Sequence, residues 1–175
     1  MTTPTTPLPG TLSPAELLYS DLDQEIAASR KMLQRVPDDR TDWKPHTKSM
    51  SLDRLATHLA ELPKFAMGIL TDDELDFVKN PYKGEKVSSS AERIALFDSR
   101  AAAMKQVVQG LTWTDVSRTW TIRAGSQVFI KATKAKLFRT MGLSHMAHHR
   151  AQLSVYLRQL EIAVPGVYGP SADEM

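Results

Sequence analysis

The chain contains no cysteine. That absence excludes disulfides, thiolate nucleophiles and cysteine-based zinc or iron–sulfur sites, and leaves nitrogen and oxygen donors for any bound metal. An excess of charge of one sign is also missing: 22 Lys and Arg against 20 Asp and Glu give a formal net charge of +2. The basic residues are scattered, so neither nucleic acid nor an anionic membrane surface is an expected partner. No run approaches the ~18 consecutive apolar residues that span a bilayer. The start of the chain carries no basic segment followed by an apolar stretch, so no secretory signal is read and a cytoplasmic location is expected.

What remains is an ordinary globular composition. At 175 residues and 42% hydrophobic content, the chain is long enough to bury one substantial core. Met1 to Gly10, rich in Thr and Pro, reads as a disordered leader, and residues 11–175 read as a single domain. Ser13-Pro14-Ala15-Glu16 combines an N-cap serine, a proline at the first helical position and a glutamate at the third. The helix it opens carries Leu18, Leu22, Ile26, Ser29, Leu33 and Val36 on one face and ends at Pro37-Asp38-Asp39. A second helix from Ser49 or Ser51 has Leu52, Leu55, Leu59, Leu62, Ala66 and Ile69 as its stripe. Pro63 interrupts that pattern, and a kink is expected there.

Asp72 to Ser88 reads as a loop. A third helix spans about Ser90 to Val108, with Ile94, Phe97, Ala101, Met104 and Val108 inward and Gly110 as its stop. Trp120-Thr121-Ile122 and Val128-Phe129-Ile130 flank Ala124-Gly125-Ser126 as a small hairpin. The last helix runs from near Thr133 to about Leu160. Four long amphipathic segments with one small extended insert before the last helix predict an all-α four-helix bundle.

Three of the five histidines form His145-x-x-His148-His149. Counting about 100° per residue from His145, Phe138 and Tyr156 fall beside it, His149 lies about 40° away and His148 about 60° to the other side. His145 and His149 thus share the inward face, with Gln152 close by. An imidazole in a core must be hydrogen-bonded or liganded, since an unsatisfied buried polar group costs ~1–3 kcal/mol. Side chains four apart stack on a helix and can reach a single ion. His58 is the other histidine on an inward helical face and supplies a plausible third ligand. Ordinary core packing stands against each of these readings, and on spacing alone His148 could replace His145 or His149. His46 follows Pro45 in a connection and reads as solvated.

The run His145-x-x-His148-His149-Arg150-x-Gln152-Leu153-x-x-Tyr156-Leu157-Arg158, followed by Val164-Pro165 and Tyr168-Gly169-Pro170-Ser171-Ala172-Asp173-Glu174, resembles the C-terminal signature of the DinB/YfiT-like superfamily of bacterial metalloenzymes. Trp43-x-Pro45, Ser51-Leu52 and His58-Leu59-Ala60 fit its N-terminal half. The resemblance implies a four-helix bundle holding one divalent transition metal (nickel, zinc or iron) through three histidines. By position these are His58, His145 and His149, which leaves His148 outside. It further implies a homodimer and, among characterised relatives, thiol-dependent S-transferases and isomerases. Pro63, and Ala151 where many relatives carry glycine, depart from the pattern.

Three histidines leave coordination positions open, as in a catalytic site. The expected chemistry is a metal-dependent hydrolase or thiol S-transferase, in which the metal activates water or the thiol toward a small-molecule substrate. A low-molecular-weight thiol is the expected partner of the transfer reaction. The alternative is a non-catalytic metal-binding or stress-response bundle stapled by the ion. Gln152 is a candidate for orienting substrate or a bound water. Glu61 is a candidate general base or imidazole partner. Its place at the edge of the face favours a solvated carboxylate. Arg150 at an edge reads as a surface or interhelix ion pair, and Tyr156 as a packed tyrosine with its hydroxyl satisfied.

Overall fold

The structure is a computed structural model that describes residues 12–175. The expected disordered leader, Met1 to Gly10, lies outside the described residues. Four long helices make the body: α2 (Leu22–Leu33), α3 (Leu52–Thr71), α4 (Ser90–Gln109) and α7 (Ser144–Gln159). α3 packs against α4 and α7, and α2 packs against the same two. Leu55, Leu59, Ile69, Phe97, Met104, Leu153 and Leu157 meet in the core between them, all fully buried. Among the described residues no helix is long and apolar enough to cross a membrane.

The first expected helix is broken in two. The short α1 (Pro14–Leu18) begins with the capping box between Ser13 and Glu16 and stops at Tyr19, three residues before α2. Tyr19 turns inward, 3% exposed, and stands edge-on to Phe138 with ring centroids 4.7 Å apart. Arg139 donates to the Leu18 carbonyl that the break frees, and to the Asp21 carboxylate at 2.7 Å. Unpaired backbone groups at a helix end need such partners. Here one comes from 121 residues along the chain, so no local pattern announces it.

α3 is capped by Ser51, whose hydroxyl accepts from the Arg54 amide, and runs as one continuous helix through the buried Pro63. The loop expected over 72–88 contains a strand, β1 (Glu74–Asp76). It pairs in parallel with β2 (Thr119–Ala124), Leu75 opposite Ile122. β2 and β3 (Gln127–Thr133) form the expected hairpin around Gly125, which adopts a positive φ of 58°. The buried Asp76 carboxylate accepts from the Val78 and Gly125 amides at 3.0 Å each and so ties β1 to the hairpin turn. A three-residue strand held by such long-range bonds carries no periodicity to read. Between α4 and the hairpin lies a short helix, α5 (Trp113–Ser117), opened by a capping box of Thr112 and Asp115.

The expected last helix is three consecutive helical pieces. α6 (Lys134–Leu137) passes into a π-helical stretch, Phe138–Leu143, and then into α7. The wider turn shifts the angular phase, so a wheel counted through it misplaces what lies beyond. The buried stripe of α7 is Met146, His149, Arg150, Leu153 and Leu157, centred about 90–100° round from His145. The half-buried His145 therefore sits at the rim of the core, and the buried His149 on the side of the stripe nearest to it. Gly142, in the π stretch, makes their approach to α3 possible: a Cβ built on it would come within 3.1 Å of the Ala66 Cβ. Two small residues at this crossing let the segment that leads into α7 settle closely on α3.

Candidate metal centre

His58 lies in the second turn of α3, and His145 and His149 occupy the first two turns of α7. The ring centroids are 5.4 Å apart for His58–His145, 4.6 Å for His58–His149 and 4.7 Å for His145–His149. One ring nitrogen from each lies within 4.8 Å of the other two. The Nε2 atoms of His145 and His149 are 2.9 Å apart.

The other ring nitrogens explain this orientation. His149 Nδ1 lies 2.8 Å from Gln152 Oε1, an acceptor, so Nδ1 carries the proton and Nε2 keeps a free lone pair. His58 Nδ1 lies 3.2 Å from a Glu61 oxygen, an acceptor that favours the same tautomer, and 3.4 Å from Arg54 Nη2, a donor that favours the other. Among the described residues the buried His145 Nδ1 has no hydrogen-bond partner. The Met141 backbone beside the ring favours its protonated form.

Burial pushes the His149 pKa down to about 4, helped by the charges of His58, His145 and His148 and opposed by the Gln152 bond. Burial, then the charge of His58, also lowers His145. At neutral pH both rings are therefore neutral, the form in which imidazole ligates a metal. Three imidazole nitrogen donors with no carboxylate among them fit a borderline ion such as zinc, nickel or iron, and leave coordination positions open.

Glu61 corrects the expectation of a solvated carboxylate: it is 8% exposed. Its oxygens accept from Arg54 Nη2 at 2.7 Å, Arg54 Nη1 at 3.2 Å, the Tyr82 hydroxyl at 2.5 Å and the Glu85 amide at 2.6 Å, besides His58. Burial raises its pKa, but the bonds from His58, Arg54, Tyr82 and Glu85 outweigh that and hold it well below the usual carboxylate range. So weak a base, with both oxygens occupied, is suited to positioning His58 and the 80–85 segment and not to accepting a proton. Gln152 likewise bonds His149, and it does not line the cavity described below.

His148 is exposed and outside the cluster. His46 is exposed, its Nδ1 accepting from the Lys48 amide. Arg150 is buried at 3% exposure and forms an interhelix ion pair with Glu25 at 2.8 Å. The Tyr168 hydroxyl lies 2.7 Å from each of them, which ties the C-terminal tail to α2 and α7. The Tyr156 hydroxyl donates to the Met50 carbonyl at 3.3 Å. Sequence reasoning missed Arg54, Tyr82 and Glu85. Arg54 was within reach, four residues before His58 on the same helix face; Tyr82 and Glu85 join from an irregular segment that carries no pattern.

A cavity of about 750 Å³ opens beside the cluster and reaches His58, Glu61 and His145. α3 contributes one wall through residues three and four apart, from His58 through Leu62 and Phe65 to Gly68 and Asp72; the small sheet contributes the facing wall.

A sequence model of the DinB family matches residues 1–175. A curated relative, the uncharacterized protein YrdA of Bacillus subtilis, is 30% identical over 152 residues, covering 86% of this chain and 85% of its own. Among solved structures, a DinB-like protein of B. subtilis, YjoA, superimposes with a TM-score of 0.67 at 16% identity, over 88% of this chain and 99% of its own. A DinB-like protein of Bacillus cereus gives 0.63 at 20% identity, over 87% and 97%. YfiT of B. subtilis, described as a probable metal-dependent hydrolase with an unusual four-helix bundle topology, gives 0.63 at 16% identity, over 90% and 95%. At these identities the structural matches speak for the fold.

Proposed function

This chain belongs to the DinB family, and on that footing we propose that it is a metal-dependent enzyme in which His58, His145 and His149 hold one divalent transition metal. Its substrate is a small electrophilic molecule, and water or a low-molecular-weight thiol is the second reactant. The observation that carries the reading is the convergence of one nitrogen from each of three imidazoles at the end of a cavity. When bound, an ion there supplies a Lewis acid able to lower the pKa of water or a thiol and to polarise an electrophile.

The protein's own residues prepare that place. Gln152 holds the His149 ring in the tautomer whose Nε2 is free, and Glu61, nearer to His58 Nδ1 than the Arg54 guanidinium is, favours the same tautomer in His58. Burial keeps His145 and His149 neutral. Phe65 stands edge-on to His145 with ring centroids 6.2 Å apart and gives the site an aromatic wall. An ion that only stapled α3 to α7 would need no cavity ending on two of its ligands, so the geometry favours chemistry over a structural role. The description of YfiT as a probable metal-dependent hydrolase supports the hydrolytic branch.

The test is turnover of a panel of activated esters and epoxides, with and without thiols, before and after chelation. Rates that depend on thiol assign transfer, and turnover without thiol assigns hydrolysis. Rates unchanged by complete metal removal would sink the proposal.

A further inference from the structure

The cavity is built for a particular kind of molecule. Its volume, about 750 Å³, falls within the ~300–1,000 Å³ of small-molecule sites. The sheet wall is a single apolar rung across three strands, since Leu75 pairs with Ile122 and Ile122 with Ile130. Trp120 continues it on β2. Phe65 from α3 is edge-on at 6.2 Å both to Trp120 and to His145, so one aromatic wall runs from the sheet to the histidines.

Strand β3 adds a specific device. Ile122 pairs with Ile130 while Arg123 pairs with Val128, which leaves Phe129 unpaired at a bulge. Regular alternation would send Phe129 and Ile130 to opposite faces. The bulge re-aims the strand, and both line the cavity. Phe129 at 51% and Phe77 at 39% exposure place large apolar side chains at the opening.

The polar groups in the lining offer little to a polar ligand. Glu61 and Tyr82 are bonded to each other, and Glu85 is paired with Arg100. The remaining charged and amide side chains of the lining are solvent-exposed. A polyhydroxylated or highly charged body would lose water here without gaining partners.

We propose that this cavity takes a substrate with an aromatic or similarly bulky apolar body and a single polar head, the head lying against His58 and His145. The position of the head rests on the metal-site reading above; the character of the body rests on the cavity alone.

The experiment measures affinities of acetohydroxamate, benzohydroxamate and 2-naphthohydroxamate for the zinc-loaded protein. In parallel, 1-anilinonaphthalene-8-sulfonate is titrated by fluorescence into the metal-free protein. Affinity should rise at least tenfold from the methyl to the naphthyl hydroxamate. Phe129→Asp should cut naphthyl binding at least fivefold and leave bound zinc unchanged. Val128→Asp, at an equally exposed position outside the cavity lining, should leave both unchanged. Equal affinity for the methyl and naphthyl compounds overturns the proposal. If no zinc binds, the metal reading fails. Anilinonaphthalene sulfonate binding that Phe129→Asp weakens then still upholds the apolar body, and its absence from the wild type overturns that too.

Discussion

The Nε2 atoms of His145 and His149 stand 2.9 Å apart, one helical turn along α7. Two imidazole lone pairs cannot face each other at that distance without a proton or an ion between them. His149 has its proton on Nδ1, bonded to Gln152. Without an ion the proton between them would be that of His145, carried on Nε2 and donated to His149, with the buried His145 Nδ1 left as an acceptor that has no hydrogen-bond partner among the described residues.

Metal loading should move that proton. With both Nε2 lone pairs committed to an ion, the His145 proton shifts to Nδ1. Ring 15N chemical shifts read the tautomer directly. His145 should change from Nε2–H to Nδ1–H on loading, while His149 keeps Nδ1–H throughout. An unchanged His145 tautomer in a loaded protein would count against its role as a ligand through Nε2.

Gln152 acts through His149. Its replacement by Leu removes the acceptor that holds the ring, and losing such an outer partner costs about 10–100-fold in metal affinity. Competition with a fluorescent chelator measures this. Gln152→Glu keeps the acceptor and should retain near-wild-type affinity. If the leucine variant binds as tightly as wild type, the hydrogen bond has no part in the site.

Glu61 gathers donors from α3 and from the 80–85 segment onto one buried carboxylate. Glu61→Ala leaves His58 Nδ1, the Tyr82 hydroxyl and the Glu85 amide without their acceptor. A loss of about 2–4 kcal/mol in unfolding free energy is expected, Arg54 being exposed enough to regain water. Tyr82→Phe removes one donor at a 59% exposed side chain and should cost less than about 1 kcal/mol. Its effect should be faster amide exchange over residues 80–85. Equal destabilisation by the two variants would contradict this division.

Stability of the metal-free protein should depend on pH with a definite sign. His149 is lowered from 6.5 to about 4 on folding, and His145 is lowered too. Between those values the unfolded chain binds protons that the native chain refuses, so stability rises with pH through this window. For His149 the change is on the order of 2–3 kcal/mol from pH 4 to 7. Glu61, held below its unfolded value of 4.5, adds stability that is lost only at more acidic pH. Urea titrations at half-unit steps check this, and a flat profile from pH 4.5 to 6.5 would refute it.

Helix positions and caps were legible because they are local: Ser13 with Glu16, Ser51 at the head of α3, Gly110 at the end of α4. The histidine pair was legible because i and i+4 on one helix need no tertiary knowledge. The inward face of its helix offered His58 as a plausible third ligand, and the family resemblance made the assignment firm, since nothing local says which part of that face meets α7. The break at Tyr19, strand β1 and the Glu61 cluster stayed hidden. Each is held by partners far along the chain: Arg139 on Leu18, Asp76 on Gly125, and Tyr82 on Glu61. The π stretch was hidden differently, because it disguised itself as ordinary helix and rotated the wheel that followed.

The central claim is that His58, His145 and His149 together hold one metal ion and His148 does not. Elemental analysis of untagged protein, after loading and removal of free metal, tests it most directly. Wild type and His148→Ala should each carry close to one ion per chain, and His58→Ala, His145→Ala and His149→Ala far less, all five remaining folded. A wild type without stoichiometric metal, or a His149→Ala variant that keeps it, would contradict the account.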